Sequence, residues 1–187
     1  MRYGFKAQAE RIALQARVDL SLGPMDAIDP WKYSKSLGVV VLAFDAIKLA
    51  PKHCDQLLTK DEESWSGLTL REGGTHFVVV NPSHPLARQH NTLVHELSHI
   101  QLGHVPGRVD ISASGLMLLS DYPDDQEQEA DCLAGAILLP RDALHHHRSR
   151  GLTSLEIAAA FGVSQQLADW RLRMTGVEAQ LKRRRTS

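Results

Sequence analysis

The chain has 187 residues, 43% of them hydrophobic, with 21 basic and 22 acidic side chains and a formal net charge of -1. That balance excludes a protein drawn to nucleic acid or anionic membrane by global charge, and the length suits one domain, with or without a small appendage, around a real core. Cys54 and Cys132 are too few for a disulfide framework, no run reaches the roughly 18 apolar residues of a membrane span, and the N-terminal pattern is not that of a secretory signal, so a soluble cytoplasmic protein with reduced thiols is expected.

Phe5, Ala9, Ile12, Ala13, Ala16 and Leu20 recur at helical spacing until Gly23-Pro24 stops them. Asp29-Pro30 reads as an N-cap and first helical position of a short helix ending at Gly38, and Val39 to Phe44 as a buried strand. Residues 51–64 are polar, with the acidic run Asp61-Glu62-Glu63, and suit a surface loop or poorly formed helix without a function of their own. Leu68 to Arg71 and Thr75 to Val80 flank Glu72-Gly73-Gly74 as the strands of a hairpin, and Asn81-Pro82 ends the second. From about Pro85 to Leu102 a helical stripe of Leu86, Leu93, Leu97 and Ile100 faces the core, with the histidines off it. A loop rich in Gly, Pro, Ser and Asp spans roughly residues 105–125, and a second long helix runs from near Asp125 to before Pro140. Helices, then strands, then helices make the chain α+β.

His95 and His99 are four apart, so on a helix they project from one face, as two ligands of one ion must. Glu96 completes H-E-x-x-H, in which the glutamate takes a proton from the attacking water and later delivers one to the leaving amine. A catalytic zinc usually takes a third protein ligand and keeps one position open. His104 is out of register for the H-E-x-x-H-x-x-G-x-x-H pattern, because Leu102 stands where glycine is required and Val105 where histidine is. Glu127, which shares a helix face with Asp131, is the better third ligand, with Asp131 accepting from the distal nitrogen of a ligand histidine. Glu129 points about 200° from Glu127 on an ideal helix and cannot face the same ion. Tyr122 and His104 are the candidates for an oxyanion donor.

Three segments in this order, Val78-Val79-Val80-Asn81-Pro82, Thr92 to His99 within Arg88 to Leu102, and Glu127 to Ala134 leading to Leu138-Leu139-Pro140, resemble the ImmA/IrrE family of metallopeptidases over most of residues 5–145. Ser98, where such proteins often have glycine, and Cys132-Leu133 depart from the usual pattern. The resemblance implies a zincin-like fold with a small mostly antiparallel or mixed sheet, His95, His99 and Glu127 as ligands of Zn2+ (with Mn2+ the alternative), and Glu96 as general base. It further implies an intracellular peptidase whose partner is a helix-turn-helix transcriptional repressor, often in mobile-element or stress-response settings.

Beyond the peptidase-like part, Thr153-Ser154-Leu155-Glu156 is a capping box, Gly162 a turn and Ser164 a second cap, giving a helix-turn-helix-like pair. Its second helix carries Gln165, Gln166, Arg171 and Arg173, which would meet DNA if the pair docks on it, although packing on the peptidase or a protein partner is the preferred expectation. His145-His146-His147 diverge on a helix and read as surface, and Lys182 to Arg185 as a solvated basic terminus. The expected organisation is a zincin-like domain over residues 1–148, the helical appendage over 149–178 and a basic tail over 179–187. The rival readings are a non-catalytic DNA- or protein-binding regulatory module with a structural or vestigial metal site, and a metal-dependent hydrolase of a non-peptide substrate. The strand Thr75 to Val80 is either an edge to which an extended substrate adds or an interior strand.

Overall fold

The computed structural model describes residues 1–47, 51–112 and 115–185. Residues 113, 114, 186 and 187, which belong to the expected loop and tail, lie outside the described residues.

The opening helix α1 (Phe5–Asp19) buries Phe5, Ala9, Ala13 and Ala16, the face its periodicity predicts. Helix α2 (Pro30–Ser36) starts as its sequence requires, with the Asp29 carboxylate accepting from the backbone amides of Trp31 and Lys32. The next strand, β1, is confined to Val40–Leu42. It is an exposed to half-buried edge strand rather than a buried one, and the chain turns into a 3-10 segment at Phe44–Ile47. Residues 51–64 form a short helix α3 (Pro51–Asp55), a π-helical turn (Gln56–Lys60) and a 3-10 turn (Glu62–Ser64), in keeping with the weak periodicity there.

Strands β2 (Gly67–Glu72) and β3 (Thr75–Val80) pair as the expected hairpin. Gly73 and Gly74, with φ of 54° and 89°, supply the two positive φ angles of a tight two-residue connection. The main departure from the sequence reading lies in residues 105–125, where β4 (Arg108–Ile111) and β5 (Met117–Ser120) form a second hairpin. Every residue of β4 is exposed, so no alternation of buried and exposed side chains betrays it, and the strand is paired to β5 by its backbone ladder. The sheet has the order β1-β3-β2-β5-β4, with β1 parallel to β3 and the other neighbours antiparallel. Strand β3 lies between β1 and β2, which leaves it no free edge. The edges belong to β1 and β4.

Helix α4 (Leu86–Leu102) crosses one face of this sheet and ends where Gly103 adopts a left-handed φ of 64°. Leu93, Val94 and Leu97 are fully buried, but Leu86, in phase with them, is 59% exposed because it precedes the part of the helix that meets the core. His99 lies off that stripe yet is buried as well, with the Tyr122 ring stacked on it. Helix α5 (Asp124–Leu138) begins with Asp124, Asp125 and Glu127, charges suited to a helix N-terminus, and becomes buried almost all round from Ala130 onward, where it packs between α1 and α4.

Helices α6 (Arg141–Ser149), α7 (Ser154–Phe161), α8 (Gln165–Thr175) and α9 (Val177–Arg185) follow. Thr153 and Glu156 form the predicted capping box and Ser164 caps α8. Ile157, Phe161, Ala168, Leu172 and Val177 join the same apolar core as α1, α4 and α5, so the expected boundary at 148/149 runs through one continuous core. The stretch expected as a solvated tail is helical through Arg185, with Leu181 packed against that core. His145, His146 and His147 are half-buried rather than surface groups, and the His147 ring meets Phe161 edge-on.

Helices α5 and α8 pack tightly at Gly135, where a Cβ would lie 2.7 Å from the Trp170 ring and 2.8 Å from Arg171 Cδ. Gly135→Ala is therefore expected to destabilise the fold by about 1–3 kcal/mol through overpacking, measured as a lower urea midpoint at unchanged slope.

Candidate metal centre

The second half of α4 and the first turns of α5 lie side by side, and their polar faces meet beneath β2 and β5. His95 and His99 bring their Nε2 atoms to 3.1 Å from each other. Glu127 places Oε2 3.1 Å from His95 Nε2 and 3.6 Å from His99 Nε2. A tetrahedral ion with bonds of about 2.0–2.2 Å to nitrogen and oxygen holds its ligand atoms roughly 3.3–3.6 Å apart, and the three separations here, 3.1, 3.1 and 3.6 Å, lie close to that range. The three residues therefore fit a metal ion, and among the described residues no fourth His, Cys, Asp or Glu joins the group. Such a set leaves one tetrahedral position for water or substrate, the arrangement of catalytic rather than structural zinc.

The distal ring nitrogens are also held. His95 Nδ1 lies 3.0 Å from Asp131 Oδ1, one helical turn beyond Glu127, and His99 Nδ1 lies 2.9 Å from His104 Nδ1. Burial opposes charge on His95, yet the bonds to Asp131 and Glu127 and the nearby charges of Glu96 and Asp131 push its pKa up to about 10. His99 moves the other way, to about 4, through burial and its histidine neighbours. The hydrogen bond to His95 draws Glu127 below the ordinary carboxylate range. Three carboxylates around one imidazole make this a place where a cation is stabilised.

Glu96 points from α4 toward the sheet. The Thr69 hydroxyl donates to Glu96 Oε2 at 2.5 Å, and burial raises the carboxyl's pKa. That approach depends on Gly67, since a Cβ there would lie 2.6 Å from Thr92 Cγ2 and 3.4 Å from Glu96 Cγ. Neither Thr69 nor Gly67 was identified from the sequence; a glycine at the start of a strand is the one available signal, because it marks a close approach to the backbone.

Tyr122 stacks on His99, ring centroids 3.8 Å apart and planes at 24°, and borders the small cavity that Thr69, Glu96 and Glu127 also line. Burial, with Glu96 and Glu127 nearby, pushes its phenol up to about 12, so it keeps its proton. His104 does not reach that cavity as an oxyanion donor would. It stands behind His99, its Nδ1 engaged with that ring and its Nε2 3.5 Å from Glu129 Oε2. Glu129 in turn receives hydrogen bonds from Arg2, which hold its carboxylate down at about 2. Arg2 and Glu129 are 127 residues apart, and no local sequence pattern links them.

The candidate DNA contacts divide. Gln165, Gln166 and Arg173 are exposed on α8, but Arg171 is buried, donating to the Leu139 carbonyl and to Glu10. Gln166 and Arg173 border a recess of about 350 Å³ whose other wall includes Asn91 and the acidic Asp131. Arg171 is thus a core ion-pair residue, and the exposed part of α8 is shared with the peptidase-like body. Among the described residues no helix is long and apolar enough to cross a membrane.

The family model for the IrrE N-terminal-like domain, a peptidase family, matches residues 35–173. No curated protein matches the chain.

Proposed function

The chain belongs to the IrrE N-terminal-like peptidase family, and from that premise we propose that it is a zinc-dependent endopeptidase with Glu96 as its general base. The observation that carries this reading is the convergence of His95 Nε2, His99 Nε2 and Glu127 Oε2 on one point beside a buried carboxyl, Glu96, that is not part of the ligand set. Zinc bound there would lower the pKa of water toward about 7 and polarise the scissile carbonyl.

The remaining steps belong to the protein. Thr69 holds one oxygen of Glu96, leaving the other to accept a proton from the attacking water. Burial raises that carboxyl's pKa, which brings proton gain and return closer in energy and suits delivery to the departing amine. Asp131 accepts from His95 Nδ1–H and so reserves Nε2 for the ion. Tyr122, neutral at working pH and stacked over His99, offers its hydroxyl to the oxyanion that develops as the carbonyl becomes tetrahedral.

The substrate in this reading is a cytoplasmic protein, specifically a helix-turn-helix transcriptional repressor, a choice supported by the resemblance of Val78 to Pro82, Thr92 to His99 and Glu127 to Ala134 to the ImmA/IrrE metallopeptidases. The test is incubation of the purified chain with repressor proteins encoded beside it. Cleavage is expected with stoichiometric zinc, to stop on chelation and to return when zinc is restored. A cut that persists after complete metal removal would refute the mechanism.

A further inference from the structure

His104, Glu129 and Arg2 take no part in the steps above, yet they form a continuous polar line running away from the metal centre. We propose that His104 is the positioning residue for His99, fixing that ligand's ring and tautomer, and that Glu129, clamped by Arg2, fixes His104 in turn. The proposal rests on the metal-site reading of the preceding section.

The hydrogen count selects one arrangement. A histidine that ligates through Nε2 carries its proton on Nδ1. His99 Nδ1 is 2.9 Å from His104 Nδ1, so the latter accepts and must be unprotonated. Neutral His104 then carries its proton on Nε2, which faces Glu129 Oε2 at 3.5 Å, longer than a formed hydrogen bond but close enough for the carboxylate to favour the proton on that nitrogen. In this arrangement every donor faces an acceptor: His99 Nδ1–H is hydrogen-bonded to His104, while the buried His104 Nε2–H is aimed at the Glu129 carboxylate and held by its charge rather than by a formed hydrogen bond. The reverse assignment fails twice: it protonates the His99 nitrogen that should ligate, and it turns a lone pair of His104 toward a carboxylate.

The outer end is built with similar care. Arg2 donates from its backbone amide and from Nε to Glu129 Oε1, both at 2.8 Å, and from Nη2 to Oε2 at 2.7 Å. Its guanidinium lies 5.4 Å from the centroid of the buried Phe5 ring, which anchors the segment at the start of α1. The His104 and Glu129 side chains are 5% and 4% exposed, so water competes little for their bonds. A simple Arg2–Glu129 ion pair would not require an imidazole interposed in line with a ligand. Arg2 lies outside residues 35–173, the span that the family model matches, so the clamp joins the first residues of the chain to a ligand within the matched domain.

The test is zinc affinity of the full-length chain by competition with a chromophoric chelator, combined with nitrogen-15 NMR of histidine tautomers in the zinc-loaded wild type. Loss of an orienting partner typically weakens metal binding by about 10–100-fold, and that loss is expected for His104→Leu with the zinc-free melting temperature little changed. His104→Asn, whose amide oxygen falls near the Nδ1 position, is expected within about threefold of wild type, and Arg2→Ala between the two. The NMR spectrum should show Nδ1–H on His99 and Nε2–H on His104, a result that needs no variant to fold. Equal zinc affinity for wild type and His104→Leu, or a proton on His104 Nδ1, would overturn the relay alone. A wild-type chain that takes up no zinc would overturn the relay and the metal-site reading together.

Discussion

Glu96→Gln is expected to retain zinc within about threefold of wild type and to lose hydrolysis by roughly a thousandfold or more. Glutamine has nearly the same shape, and its carbonyl oxygen can keep the hydrogen bond from Thr69 Oγ1, so the packing of α4 against β2 beneath Gly67 should be unchanged. What disappears is the ability to take a proton. General acid–base groups contribute about a hundredfold to ten-thousandfold, and one that both accepts the proton from water and returns it to the amine belongs in the upper part of that range. The proposed ligand set, His95, His99 and Glu127, is untouched. Metal content and cleavage measured side by side on wild type and variant decide the matter. A variant that holds zinc and cuts normally would remove Glu96 from the mechanism.

The legible parts of this protein are those where local chemistry and burial agree. Asp29-Pro30, Gly73-Gly74, Thr153 with Glu156, and Gly162 each impose a backbone conformation on their own few residues, and each element boundary falls where they put it. The spacing of His95, His99, Glu127 and Asp131 could also be read, because side chains four apart on a helix share a face whatever the rest of the fold does. The β4–β5 hairpin had no such mark. Its strands make a ladder at the rim of the sheet without burying one face, and it is long-range pairing of β5 with β2 that brings Leu119 opposite Thr69. The fate of Arg171 was hidden for a related reason: an arginine on an amphipathic helix reads as exposed until a distant carboxylate, here Glu10, and the Leu139 carbonyl take its donors. His104 illustrates both cases. Its register showed that it could not follow the metzincin spacing, but its contact with His99 depends on the left-handed turn at Gly103 folding it back against the helix it leaves.

The two glutamates of α5 give the sharpest check on the site as a whole. Glu127 and Glu129 are two residues apart, equally charged, and in the same turn of the helix. Glu127 Oε2 approaches His95 and His99 Nε2 at 3.1 and 3.6 Å, whereas Glu129 turns to Arg2 and His104. Glu127→Ala removes a ligand outright and is expected to weaken zinc by more than about a hundredfold, beyond the range for orienting partners, while Glu129→Ala should stay within the 10–100-fold range. The zinc-free proteins should rank the other way in stability. Glu127 is a 42% exposed carboxylate whose contact with His95 is partly screened by solvent, so its loss costs the zinc-free fold little, whereas removing Glu129, 4% exposed, takes from Arg2 the carboxylate that holds the start of α1. Chelator competition and urea unfolding on the same two variants therefore give opposite orders if α5 presents one face to the metal and the other to the N-terminal clamp. Weaker zinc binding by Glu129→Ala than by Glu127→Ala would mean that Glu127 is not the ligand.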